Sequence, residues 1–95
     1  MKKTLACLGL LILTGGSYAQ SSTALLASSC AACHGTNGHS VSSEMPSLAG
    51  LQPAYFIQQM HDFANGTREA SVMQHHAAAY SEAELRALAE YFAAQ

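Results

Sequence analysis

With 95 residues, the chain has room for one domain. Its formal net charge is −2, and two of its four basic residues, Lys2 and Lys3, stand together at the N-terminus. No basic stripe remains to follow a nucleic acid, and no Walker, Rossmann or nucleophile-elbow pattern is present, so those function classes are excluded.

Residues 1–19 read as a cleaved signal peptide. Lys2 and Lys3 give the positive start, and Leu5 to Leu13 an apolar run too short to span a bilayer as a helix. Ser17-Tyr18-Ala19 supplies small residues at a cleavage site before Gln20. An uncleaved anchor is the alternative, and the length of the run disfavours it. No stable membrane anchor is expected after cleavage, and Cys7 leaves with the leader. The expected domain is 20–95, with Arg68 and Arg86 set against Glu44, Asp62, Glu69, Glu82, Glu84 and Glu90. So small a domain struggles to build a core unaided.

The pattern predicts a first helix from Thr23 to His34, with Ser21, Ser22 and Thr23 as possible caps and Leu25, Leu26, Cys30 and Cys33 at helical spacing. Gly35 ends it. Gly35 to Gly50 is a loop rich in Gly, Ser, Asn and Pro. A second helix starts at Pro53, carries the stripe Phe56, Ile57, Met60, Phe63 and Ala64, and stops at Asn65-Gly66. Thr67 to Val72 is a connector, and Met73 to Ala79 a short helical piece. Ser81 and Glu84 form a capping box for a last helix, with Leu85, Leu88, Ala89 and Phe92 on one face. The fold class is all-α, three main helices joined by long loops.

Cys30-Ala31-Ala32-Cys33-His34 carries the chemistry. In an exported chain, C-x-x-C-H reads as a c-type haem attachment site. Two thiols on one helical turn point to one side, where they can meet the two vinyl groups of a haem, and the next histidine can offer its imidazole to iron. A thioredoxin-like redox pair needs a βαβ setting, and no strands are visible. A zinc site would have to use the adjacent residues Cys33 and His34, with His39, His75 or His76 completing it. A disulfide within the motif would close almost no loop.

A haem iron has a second axial position. Met45, beside Pro46, falls in the loop just after His34, where covering one face of the ring would keep it from the other. Met60 sits in an apolar stripe and reads as core. Met73 follows a polar connector and has enough chain behind it to cross to the far face. His75 and His76, within a turn of Met73, are the alternatives. His39 and His61 read as solvent-facing.

The chain resembles the small soluble bacterial class I cytochromes c. The resemblance rests on Cys30 to Gly38, Pro46 to Leu51, Tyr55 to Met60, Phe63 to Arg68, Met73, Tyr80 to Leu85 and Ala87 to Phe92, in that order. Within the family it is most similar to the monohaem cytochrome subunits of flavocytochrome c sulfide dehydrogenases. That likeness lies in His39-Ser40-Val41, Met45 to Ala49, Ser71-Val72-Met73 and Ala79-Tyr80-Ser81. Some such subunits carry two haem domains, and this chain has one motif.

The resemblance implies one covalent haem c, with thioethers at Cys30 and Cys33 and iron held by His34 and Met73. Pro46 would place its carbonyl on the other ring nitrogen of His34. Tyr55 and Arg68 would face the propionates. The implied role is periplasmic one-electron transfer, non-catalytic in itself, from an FAD-containing sulfide dehydrogenase subunit. A free-standing carrier serving a respiratory oxidase or reductase is the alternative, and a haem peroxidase or ligand sensor with a labile distal site is a third reading.

Overall fold

The computed structural model describes residues 2–6, 9–10 and 18–95. Cys7, Ser17 and much of the expected leader's apolar run lie outside the described residues. Five helices follow in order: α1 (Tyr18–Ser28), α2 (Ala31–His34), α3 (Pro53–Asn65), α4 (Met73–Ala78) and α5 (Glu82–Ala93). A short 3₁₀ turn, Thr36–Gly38, follows α2. No strand occurs among the described residues, and α1, α3 and α5 are the three main helices.

The single helix expected over Thr23 to His34 is two helices. The Ser28 hydroxyl donates to the Leu25 carbonyl at 2.6 Å, and the Ser29 hydroxyl to that of Leu26 at 3.0 Å. Serine hydroxyls that bond back in this way compete with the helical ladder. The chain tightens there, with Cys30 N–H reaching Ala27 O at 3.1 Å, and α2 restarts one residue later. At its other end α1 begins at Tyr18, so Ser21, Ser22 and Thr23 lie inside it and do not cap it. Ala19 and Gln20, both good helix formers, carry the helix back past the three hydroxyl residues.

Pro53 opens α3 at a position where its missing N–H costs nothing. The face buried is Phe56, Met60 and Phe63, at i, i+4 and i+7. Ile57 is only partly buried and Ala64 is exposed, so the expected stripe is narrower than its sequence pattern.

Leu85, Leu88, Ala89 and Phe92 of α5 pack on that face, joined by Ala77 of α4 and Ala27 of α1. Leu88 and Phe92 are fully buried. Each contributes about 1.5–3 kcal/mol relative to exposure. The Phe56 and Phe92 rings lie 5.8 Å apart, tilted by 34°, within the range of favourable aromatic pairs.

The start of α5 is fixed by its own sequence. Ser81 Oγ accepts from Glu84 N–H at 3.1 Å, and Glu84 Oε1 accepts from Ser81 N–H at 3.0 Å. The Ser81 backbone N–H, and after it the Ser81 hydroxyl, hold the Glu84 carboxyl below its usual range. A group so depressed stabilises the fold above its unfolded value and loses that contribution as pH falls through the folded one. Ser81→Ala should cost about 1 kcal/mol in thermal unfolding at neutral pH. The difference from the parent should narrow in acid, as Glu84 protonates.

Candidate functional site

The motif sits where α1 gives way to α2. Cys30 is the residue before α2, and Cys33 and His34 are its last two. Gly35 (φ 83°) then turns the chain sharply, and a side chain there would overlap the carbonyl of His39. The turn sends the loop back over the motif. His34, 8% exposed, brings Nδ1 to 2.6 Å from the Pro46 carbonyl. A carbonyl only accepts, so Nδ1 carries a proton, and Nε2 is the nitrogen that can offer a lone pair.

Further on, the same loop is fastened to the body of the fold. The Gly38 carbonyl accepts from Leu48 N–H at 2.8 Å and Ala49 N–H at 3.1 Å. The Phe92 carbonyl accepts from Gly50 N–H at 2.8 Å. Asn37, in the left-handed region at φ 52°, accepts the Tyr91 hydroxyl on Oδ1 at 2.8 Å.

These elements surround an apolar cavity of about 360 Å³, a volume suited to a small molecule or cofactor. Cys30, Cys33 and His34 line it, as do Pro46, Tyr55 and Arg68. Met73 reaches it from the first turn of α4. The residues picked from the sequence are therefore gathered around one space.

The alternatives for the second axial position divide. His76 lines the cavity and His75 does not. Met45 and Met60 also line it, so Met60 is both core and cavity wall. His39 is exposed. His61 does more than face solvent, since its Nε2 lies 2.7 Å from Glu82 Oε1 and ties α3 to α5.

No disulfide joins Cys30 and Cys33. Burial pushes the Cys30 thiol up, partly offset by hydrogen bonds to the hydroxyls of Ser29 and Tyr80. Those hydroxyls also pair with each other at 3.1 Å. Among the described residues, no three His, Cys, Asp or Glu side chains converge as a metal-ion cluster requires. Two thiols, a buried imidazole with a fixed tautomer, and thioether sulfurs on an apolar cavity fit a covalently held haem.

Two contributors were absent from the residues chosen by sequence. Gln59 accepts a hydrogen bond from Arg68 Nη1 at 2.6 Å on its Oε1. Tyr80 joins Ser29 beside Cys30. Gln59 had a usable signal, because it falls between Tyr55 and Phe63 at i+4 and i+8 on one face of α3. Tyr80 had one only through the family likeness, in Ala79-Tyr80-Ser81.

Comparison with known proteins gives the family. A family model described as cytochrome c oxidase, cbb3-type, subunit III matches residues 18–92. The chain is similar to the cytochrome subunit of sulfide dehydrogenase of Chlorobaculum tepidum, with 47% identity over 68 residues, covering 72% of this chain and 61% of that protein. It is similar to cytochrome c4 of Pseudomonas aeruginosa at 39% identity, covering 70% of this chain and 33% of that one. It is 42% identical to a thiosulfate dehydrogenase electron acceptor of Stutzerimonas stutzeri, covering 67% of this chain and 31% of that one. The chain thus spans less than two thirds of the length of these relatives.

Proposed function

The chain belongs to the cytochrome c domain family, and from that premise we propose a periplasmic one-electron carrier, with no catalytic chemistry of its own, that serves as the cytochrome subunit of a flavoprotein sulfide dehydrogenase. Its all-α architecture is that of the class I cytochromes c. The observation that carries the reading is the gathering of both motif thiols, the oriented His34 and Met73 on one apolar cavity.

Cys30 and Cys33 would hold a single haem c by thioethers, and His34 and Met73 would hold its iron. When bound, the haem supplies a reversible one-electron couple at that iron. The Pro46 carbonyl keeps His34 in one tautomer and one ring plane. Phe56, Met60 and Phe63, all buried, keep water from the cavity wall and disfavour extra positive charge there. A thioether ligand and a dry site both raise the potential. Arg68 and Tyr55 line the same cavity and would face the haem carboxylates. Residues 1–19 act as the cleaved export signal, leaving 20–95 as the cytochrome domain.

The likeness to the sulfide dehydrogenase subunit supports the flavoprotein partner. The likeness to a thiosulfate dehydrogenase electron acceptor favours a second reading, a diffusible carrier that meets its donor only transiently. Visible spectra of the exported protein, oxidised and reduced, test attachment and methionine ligation together. A covalent haem spectrum with a red-edge sulfur-to-iron band is expected, and copurification with a flavin-containing chain marks the subunit. A fully active monomer with no such partner would overturn the subunit reading in favour of the free carrier.

A further inference from the structure

Arg68 is held unusually well for an exposed side chain. Its Nη1 donates to Gln59 Oε1 at 2.6 Å, and its guanidinium carbon sits 4.5 Å from the centroid of the Phe63 ring. Its own N–H bonds the Asp62 carbonyl at 3.0 Å, so the backbone is fixed as well. A charge-assisted bond and a cation–π contact together remove much of the freedom a solvated arginine keeps. Gln59, Phe63 and Arg68 all line the cavity. One Nη1 bond leaves most of the guanidinium's N–H donors unspent.

Besides the cysteines, the other titratable cavity-lining groups are His34 on α2, Tyr55 on α3, Glu69 beside Arg68, His76 on α4 and Tyr80 after it. Arg68 alone among them is cationic at every accessible pH. Glu69 carries the opposite sign and would repel a carboxylate. Where Arg68 points therefore decides the field that an acid in this cavity meets.

We infer that Gln59 is a positioning residue: it aims Arg68 across the cavity rim so that the free donors meet a carboxylate of the haem and keep it ionised through neutral pH. This rests on the haem reading above and adds a residue that acts through another. A negative charge on the haem would favour the oxidised state of its iron. The potential therefore falls with pH only across the window in which that carboxylate titrates. A fixed cation holds the window low.

The test is the midpoint potential of the haem-loaded protein measured against pH. Arg68→Leu should move the falling window upward by about one to three pH units. Gln59→Leu should move it the same way by a smaller amount, and Gln59→Met, similar in shape but lacking the acceptor, should repeat that result if the leucine variant assembles poorly. The double variant Gln59→Leu with Arg68→Leu should move it no further than Arg68→Leu alone. A window unmoved by either Gln59 variant, with only the melting temperature lowered, would reduce Gln59 to a structural contact and overturn the inference. A window that Arg68→Leu also leaves in place would show that no carboxylate faces the arginine. A parent protein without a covalent haem spectrum would fail at the earlier step, and the two failures are told apart by the spectrum.

Discussion

Replacing Met73 by alanine should abolish the red-edge sulfur-to-iron band of the haem-loaded protein and lower its midpoint potential. The shift should be on the order of 0.1 V, within the roughly 0.8 V range that axial ligands cover. Met73 is half-buried at the first turn of α4, on the cavity, and packs against the core. A Met73 thioether on the iron would favour the ferrous state, and its loss would remove that preference. His76 lies i+3 from Met73 and lines the same cavity, so an imidazole stands ready on the same helical face. The variant should therefore show either a bis-histidine spectrum or an open site that binds carbon monoxide without delay. Survival of the sulfur band would hand the role to Met45 or Met60, the other two methionines on the cavity. A parent protein that lacks the band and already has a bis-histidine spectrum would give the position to His76.

Gly38→Ala should damage the packing of the loop against α5 severely. Gly38 has φ +79°, which a side chain rarely adopts. A Cβ there would stand 2.8 Å from Ala49 N, 2.9 Å from Leu48 Cβ and 2.9 Å from Phe92 Cδ1. None of the three is the free end of a flexible chain. Phe92 is 1% exposed, and Ala49 N–H is bonded to the Gly38 carbonyl itself. Overpacking and a strained backbone add, for an expected loss of about 2–4 kcal/mol. For a domain of this size, that lowers the melting temperature by roughly 8–30 °C. Thermal unfolding of the haem-loaded variant by far-ultraviolet circular dichroism measures it. A loss below about 1 kcal/mol would mean that the loop can move off α5, contrary to this packing.

Much of this was legible before any coordinates. The ends of α3 and α5 are written in local chemistry: Pro53, Asn65-Gly66, and the Ser81–Glu84 box, each acting within a few residues. The motif and the Pro46 carbonyl on His34 were also legible, though the latter came from family likeness and not from spacing. The break between α1 and α2 was missed because Leu25, Leu26, Cys30 and Cys33 keep helical spacing across it. The back-bonded hydroxyls of Ser28 and Ser29 interrupt the ladder without disturbing that pattern. Ala64 was misplaced because a small residue satisfies an apolar pattern without needing burial. Arg68 came from the family likeness with its charge as support, and its anchors Gln59 and Phe63 become its neighbours only once the chain turns back after α3. Periodicity carries no information about such a return.

The loop that holds His34 is itself held by the far end of the chain. The Tyr91–Asn37 hydrogen bond joins residues 54 apart in sequence, and Gly50 leans on the Phe92 carbonyl. Contacts of such separation form late, because closing a long segment must precede them. Cys33 stays exposed even in the finished fold, and α2 needs only local bonds to form. The order of assembly follows. The thiols are presentable early on a loosely folded chain, whereas the plane of the imidazole is settled last, when α5 docks and closes the loop behind it.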